Sequence, residues 1–202
     1  MKLNVPFYKQ TTDLNCGPTA LKMALSYLGQ DFDINVIEEK TDIKEVKFVS
    51  TIQIAIASAE LGFKTEFFSE NVLFDERHKE LDFYRKYSNM DLASSKKLLE
   101  KAKKLGINVD ERVLSCEELI SFISEDSIPI VLLDWNVVTG NKDKGYLGHF
   151  VPVVGCDDKN FYVHNQGFNN PSPFYPIEKR VFDEARKARG TDEDIVIVYR
   201  KK

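Results

Sequence analysis

Apolar residues in the first third of the chain recur at helical spacing. Ala20, Leu21, Ala24, Leu25 and Leu28 form one buried stripe, with Pro18 suited to a first turn and Gly29 to a stop. A second apolar helix is predicted over 51–61, with Ser50 as N-cap and Gly62 as its end, followed by a strand-like stretch at 63–68. From 69 to 112 the pattern turns charged, with one amphipathic helix at about 91–105, stopped by Gly106. Ser115 and Glu118 have capping-box spacing and open a short helix over 116–123. Beyond that point the chain becomes β-rich. Residues 128–134 and 149–155 are nearly continuous apolar runs, as buried strands should be, and 161–165 and 195–199 read as two more. A helix is expected over 177–188. Helices first and an antiparallel sheet of hairpins afterwards give an α+β fold.

Two stretches lie outside this regular pattern. Residues 5–9 are short and extended, and a polar loop runs from Gln10 to Asn15. A second polar loop, 135–148, separates the first two long strands and holds the single tryptophan. The 202 residues suit one domain, 1–202, with 69–112 as a helical insertion within it.

Composition narrows the function classes. The formal charge of −4 gives no footprint for nucleic acid or an anionic membrane surface, so neither is expected as a partner. No apolar run reaches the roughly 18 residues of a membrane span, and the N-terminus lacks a signal-peptide core, so a soluble, cytoplasmic protein is expected. Three cysteines and three histidines are too scattered for a disulfide framework or a zinc site, and no phosphate-cradling glycine loop occurs. No cofactor or metal is expected.

With so few candidates, a thiol–imidazole site can be sought almost exhaustively. Cys16 stands before Gly17-Pro18, at the start of the first helix. There the helix dipole and unpaired N–H groups favour a thiolate and should lower its pKa. Gln10, with five residues between it and Cys16 across the loop, can return its amide beside the Cys16 N–H, giving two donors for an oxyanion. His149 opens a strand at the mouth of a polar loop, placed to act as general base. If 149–155 and 161–165 form a hairpin, Asn165 reaches the same open end and can orient the imidazole, which sends His164 to the opposite face. Each residue alone also has a plainer reading: Cys16 as a small buried hydrophobe, His149 satisfied by a carbonyl, Asn165 as a turn former. Cys116 and Cys156 are read as structural.

Two blocks resemble one family. Val5-Pro6-Phe7-Tyr8-Lys9-Gln10, then Asn15-Cys16-Gly17-Pro18-Thr19-Ala20, resembles the nucleophile motif of bacteriocin-processing (double-glycine leader) cysteine peptidases, family 39-like, and their stand-alone relatives. Gly148-His149-Phe150-Val151-Pro152-Val153-Val154-Gly155, then Phe161-Tyr162-Val163-His164-Asn165, resembles their histidine block. The resemblance implies a papain-like fold with the nucleophile helix packed on the C-terminal sheet. It places Cys16 as nucleophile, Gln10 in the oxyanion hole and His149 as base. Asn165 departs from that family's usual aspartate, although papain-type enzymes use asparagine in this role. The expected partner is a peptide or protein substrate, hydrolysed at an amide bond. Acyl transfer, deamidation or transamidation on the same site is an alternative, as is a peptide-binding module whose chemistry has lapsed. The 69–112 region and the 135–148 loop are the expected specificity walls. Oligomeric state is left open.

Overall fold

The computed structural model describes residues 1–46, 48–167 and 170–201. The first helix, α1, is Cys16–Tyr27, and a positive φ of 112° at Gly29 ends it where an L side chain would be strained. Two short helices that the apolar pattern did not reveal follow, α2 (Ile34–Lys40) and α3 (Ile43–Val46). Helix α4 spans Thr51–Glu60, and the Gln53 side chain returns to the Ser50 N–H at 3.0 Å. Strand β1 is Thr65–Phe68.

The charged stretch supplies a 3-10 turn at Glu76–Glu80, helices α5 (Asp82–Tyr87) and α6 (Leu92–Lys104), and a short strand β2 (Asn108–Asp110). The Ser115–Glu118 capping box forms as expected and opens α7 (Cys116–Ser121). Strand β3 is Ser127–Asp134, followed by helix α8 (Trp135–Val138). Then come β4 (Gly148–Cys156), β5 (Asn160–Asn165), β6 (Ser172–Glu178), helix α9 (Lys179–Arg186) and β7 (Ile195–Tyr199).

The seven strands form one sheet in the order β2-β1-β7-β3-β4-β5-β6. All neighbours are antiparallel except β1 and β2. The architecture is α+β, as the pattern predicted, with two corrections. Strand β2 adds a parallel edge, and β6 occupies residues whose last two, Ile177 and Glu178, were expected to be helical. Pro173 and Pro176 hide β6 from a propensity reading, and an edge strand is where proline is tolerated.

Every residue of β3 is buried, which explains its unbroken apolar sequence. Helix α1 packs on β3 and β4, α4 on β1 and β7, and α9 against β3, β5 and β6. The N-terminal segment lies beside β4, with the Leu3 N–H on the Val154 carbonyl at 2.8 Å. Among the described residues no helix is long and apolar enough to cross a membrane.

Candidate active site

The loop before α1 is folded around Asn15, which is almost wholly buried. Its Oδ1 accepts from the N–H groups of Thr11 and Thr12 at 3.2 and 3.1 Å, and its Nδ2 donates to Thr11 Oγ1 and Glu38 Oε1. Asn15 therefore spends its side chain on the loop and leaves the helix end uncapped. Cys16 is the first residue of α1, among N–H groups with no partner inside the helix. Gly17 beside it lies against Ile54 and Phe150: a Cβ there would sit 2.9 Å from Ile54 Cδ1 and 3.2 Å from Phe150 Cδ2. Glycine is what allows α1 to start this close to β4.

On the sheet, β4 and β5 form the expected hairpin, and His149 and Asn165 emerge at the same end. His149 Nε2 and Asn165 Oδ1 are 3.1 Å apart. Asn165 Oδ1 also accepts from the Gly167 N–H at 3.1 Å, and its Nδ2 donates to the Asn170 carbonyl at 3.0 Å. These two bonds fix which end of the amide faces the ring. Because Oδ1 can only accept, Nε2 carries the proton and Nδ1 is left as the basic nitrogen. Trp135 packs edge-on against the imidazole, with ring centroids 4.8 Å apart. His164 does point elsewhere. It is fully buried, its Nε2 donates to the Val5 carbonyl, and its Nδ1 accepts from the Phe174 N–H.

Gln10, Cys16, His149 and Asn165 all line a single cleft of about 310 Å³, with Trp135, Phe150 and Gly167 beside them. Gln10 is buried, with its Nε2 donating to the Thr12 carbonyl at 3.0 Å. One amide hydrogen is thereby used and one remains. Among the described residues its Oε1 has no partner.

One expectation about this site fails. Burial pushes the Cys16 thiol above its ordinary range and outweighs the downward pull of the Phe150 backbone and of the Gly17 and Cys16 backbone at the helix start. Burial likewise pushes His149 down to about 4, against the opposing bond to Asn165. Both shifts favour a neutral thiol beside a neutral imidazole over the ion pair that a helix N-terminus alone would favour.

Sequence reasoning also missed Gln166. It is fully buried, and its Nε2 donates to the Cys16 carbonyl at 2.9 Å and to the Phe150 carbonyl at 2.5 Å. Its own carbonyl accepts from the Gln10 N–H at 3.0 Å. One side chain thus ties the cysteine's residue to the strand carrying the histidine, and its backbone holds the glutamine. Its place directly after Asn165 was the only signal available. Cys116 meets Asp183 at 3.5 Å, and burial together with that carboxylate raises its pKa. Cys156 ends β4, away from the cleft.

A family model described as guanylylate cyclase matches residues 5–198. "Guanylyl cyclase 1" of Arabidopsis thaliana is 21% identical over 209 residues, which is 97% of this chain and 76% of that protein. Solved structures give a different name to the same architecture. A C39-like peptidase from Bacillus anthracis superposes with a TM-score of 0.58 at 14% identity, covering 100% of this chain and 99% of that one. The peptidase domain of Streptococcus ComA, a bifunctional ABC transporter, gives 0.53 at 14% identity, covering 98% of this chain and 100% of that one. A double-glycine-motif protease from an AMS/PCAT transporter, solved with its leader peptide, gives 0.54 at 14% identity, with 100% and 94% covered. Identity this low establishes the papain-like peptidase fold and nothing finer.

Proposed function

This chain belongs to the guanylylate cyclase family, and we propose, from the geometry of its cleft, that it hydrolyses peptide or amide bonds through a Cys16 thiol. The observation that carries the reading is the 3.1 Å bond between His149 and Asn165 inside the cleft that Cys16 and Gln10 also line. With Nε2 protonated toward Asn165, Nδ1 is the nitrogen free to take a proton. As Cys16 Sγ attacks the carbonyl carbon, its proton passes to Nδ1 and the C=O electron pair moves onto oxygen. The remaining Gln10 amide hydrogen and the Cys16 N–H stabilise that oxyanion. The proton on Nδ1 then goes to the leaving nitrogen as the C–N bond breaks. Water, deprotonated by the same nitrogen, releases the acyl group and restores the thiol. Because the resting pair is neutral, proton transfer accompanies attack.

The family's printed name raises nucleotide cyclisation as a second reading. Against it, the only Asp, Glu, Lys or Arg lining the cleft among the described residues is Asp13, a carboxylate. A triphosphate is ordinarily neutralised by cationic side chains, and among the described residues no Lys or Arg lines this cleft.

The test has two arms. Iodoacetamide should label Cys16 in a way that depends on His149, with labelling strongly reduced in His149→Ala while Cys116 and Cys156 are indifferent. The protein should also cleave members of a peptide library, with products read by mass, and leave GTP unchanged. Amine adducts without cleavage would transfer the reading to a transferase, whereas a cyclic nucleotide formed from GTP in a Cys16-dependent way would overturn it.

A further inference from the structure

Resting on the thiol-hydrolase reading, we propose that the cleft selects segments with a large apolar or aromatic side chain beside the scissile bond. The selecting wall is helix α5. Phe83 and Tyr87 stand four residues apart, on one face of that helix, and both line the cleft. Phe48, from the loop before α4, joins them: its ring centroid is 5.7 Å from that of Phe83, and Phe83 is 5.3 Å from Tyr87. Behind this row the wall is braced. Tyr146 meets Phe83 edge-on at 5.3 Å and stacks on Tyr84 at 5.7 Å, and the Tyr84 hydroxyl donates to the Gly190 carbonyl at 2.6 Å. Rings held from behind keep their shape when the cleft is empty, so a matching side chain need not organise them on entry.

At the outer rim Leu147 is 42% exposed, an apolar surface left wet beside an already apolar cleft. At about 310 Å³ the cleft lies near the lower end of the range for ligand sites, room for one large side chain and its backbone. A glycine passing here would leave the wall hydrated, whereas a phenylalanine or leucine would cover it. Loss of such a group from an apolar pocket changes selectivity by about tenfold or more.

The test uses the full chain and matched dipeptidyl vinyl sulfones, which trap a cysteine nucleophile covalently. The two positions next to the warhead are varied in turn between glycine and phenylalanine. At one position, the phenylalanine probe should inactivate Cys16 at least tenfold faster than its glycine counterpart. Phe83→Ala and Tyr87→Ala should each shrink that ratio severalfold, and Phe83→Leu should preserve most of it. Equal rates for glycine and phenylalanine at both positions would overturn the proposal. So would a ratio unmoved by either alanine variant. Iodoacetamide labelling of the wild-type protein separates the two failures. His149-dependent labelling with no side-chain preference sinks the wall alone, and labelling indifferent to His149 sinks the site beneath it.

Discussion

At the scale of single residues, the cleft is governed by what burial does to two ionisable groups and by who holds their backbones. Since the thiol is pushed up and the imidazole down, alkylation of Cys16 should climb with pH through and beyond the ordinary thiol range near 8.5. A flat rate from pH 5 to 8, the mark of a standing ion pair, would contradict this. Asn165→Asp would set a carboxylate against His149 Nε2 and raise the imidazole pKa above about 4, a shift that NMR titration of the ring would follow. Gln166→Leu would take the donor from the buried Phe150 carbonyl and from the partly buried Cys16 carbonyl. The expected cost is about 1–3 kcal/mol in stability. The same change should lower kcat with little effect on KM, because Gln166 fixes where Cys16 sits and does not line the cleft. Gln166→Glu, similar in shape but without the amide donors, should not rescue it.

At the scale of elements, the site depends on α1 meeting β4 end-on at close range. Gly17→Ala pushes a methyl into Ile54 and Phe150, both buried. Overpacking of this kind costs about 1–3 kcal/mol, and here it also displaces the helix start that carries the cysteine. Denaturant unfolding and Cys16 labelling should therefore fall together in this variant. Gly155 has a similar part at the far end of β4, where a Cβ would sit 2.4 Å from the Met1 carbonyl oxygen. Gly155→Ala should free the N-terminal segment while leaving the α1–β4 contact intact, so it should lower stability more than labelling.

For the whole molecule, a buried imidazole and a partly buried carboxylate set opposing pH dependences. His149 is depressed from 6.5 to about 4, so its contribution to stability is complete above 6.5 and is lost as pH falls toward 4. Asp194, whose Oδ1 is sealed from solvent with no partner among the described residues, is raised by burial and by neighbouring Asp192 from 3.8 to about 8. Its contribution is present below 3.8 and is lost as pH rises through 8. Between about 4 and 6.5 the two slopes oppose each other. Between 6.5 and 8 the Asp194 slope is no longer opposed by His149, and stability should fall as pH rises. Asp194→Asn should flatten that alkaline limb in urea titrations at pH 6.5, 7.2 and 8. An unchanged limb would place the raised group elsewhere.

Most of the framework was legible in the sequence because it is written in local terms. Helices α1, α4, α6 and α7 announce themselves through apolar spacing, capping residues and a terminal glycine, and the buried strands through unbroken apolar runs. The β4–β5 turn likewise fixed which end His149 and Asn165 share, since strand alternation is a two-residue rule. Strands β2 and β6 stayed hidden because a three-residue edge and a proline-bearing edge are defined by their neighbours, not by their own propensity. Three further features belong to tertiary structure alone: the clasp made by Gln166, the aromatic wall of α5 and the neutral state of the thiol and imidazole. The physical reason is common to all three. A hydrogen bond spanning 150 positions and the loss of solvent around a side chain exist only once distant segments have packed.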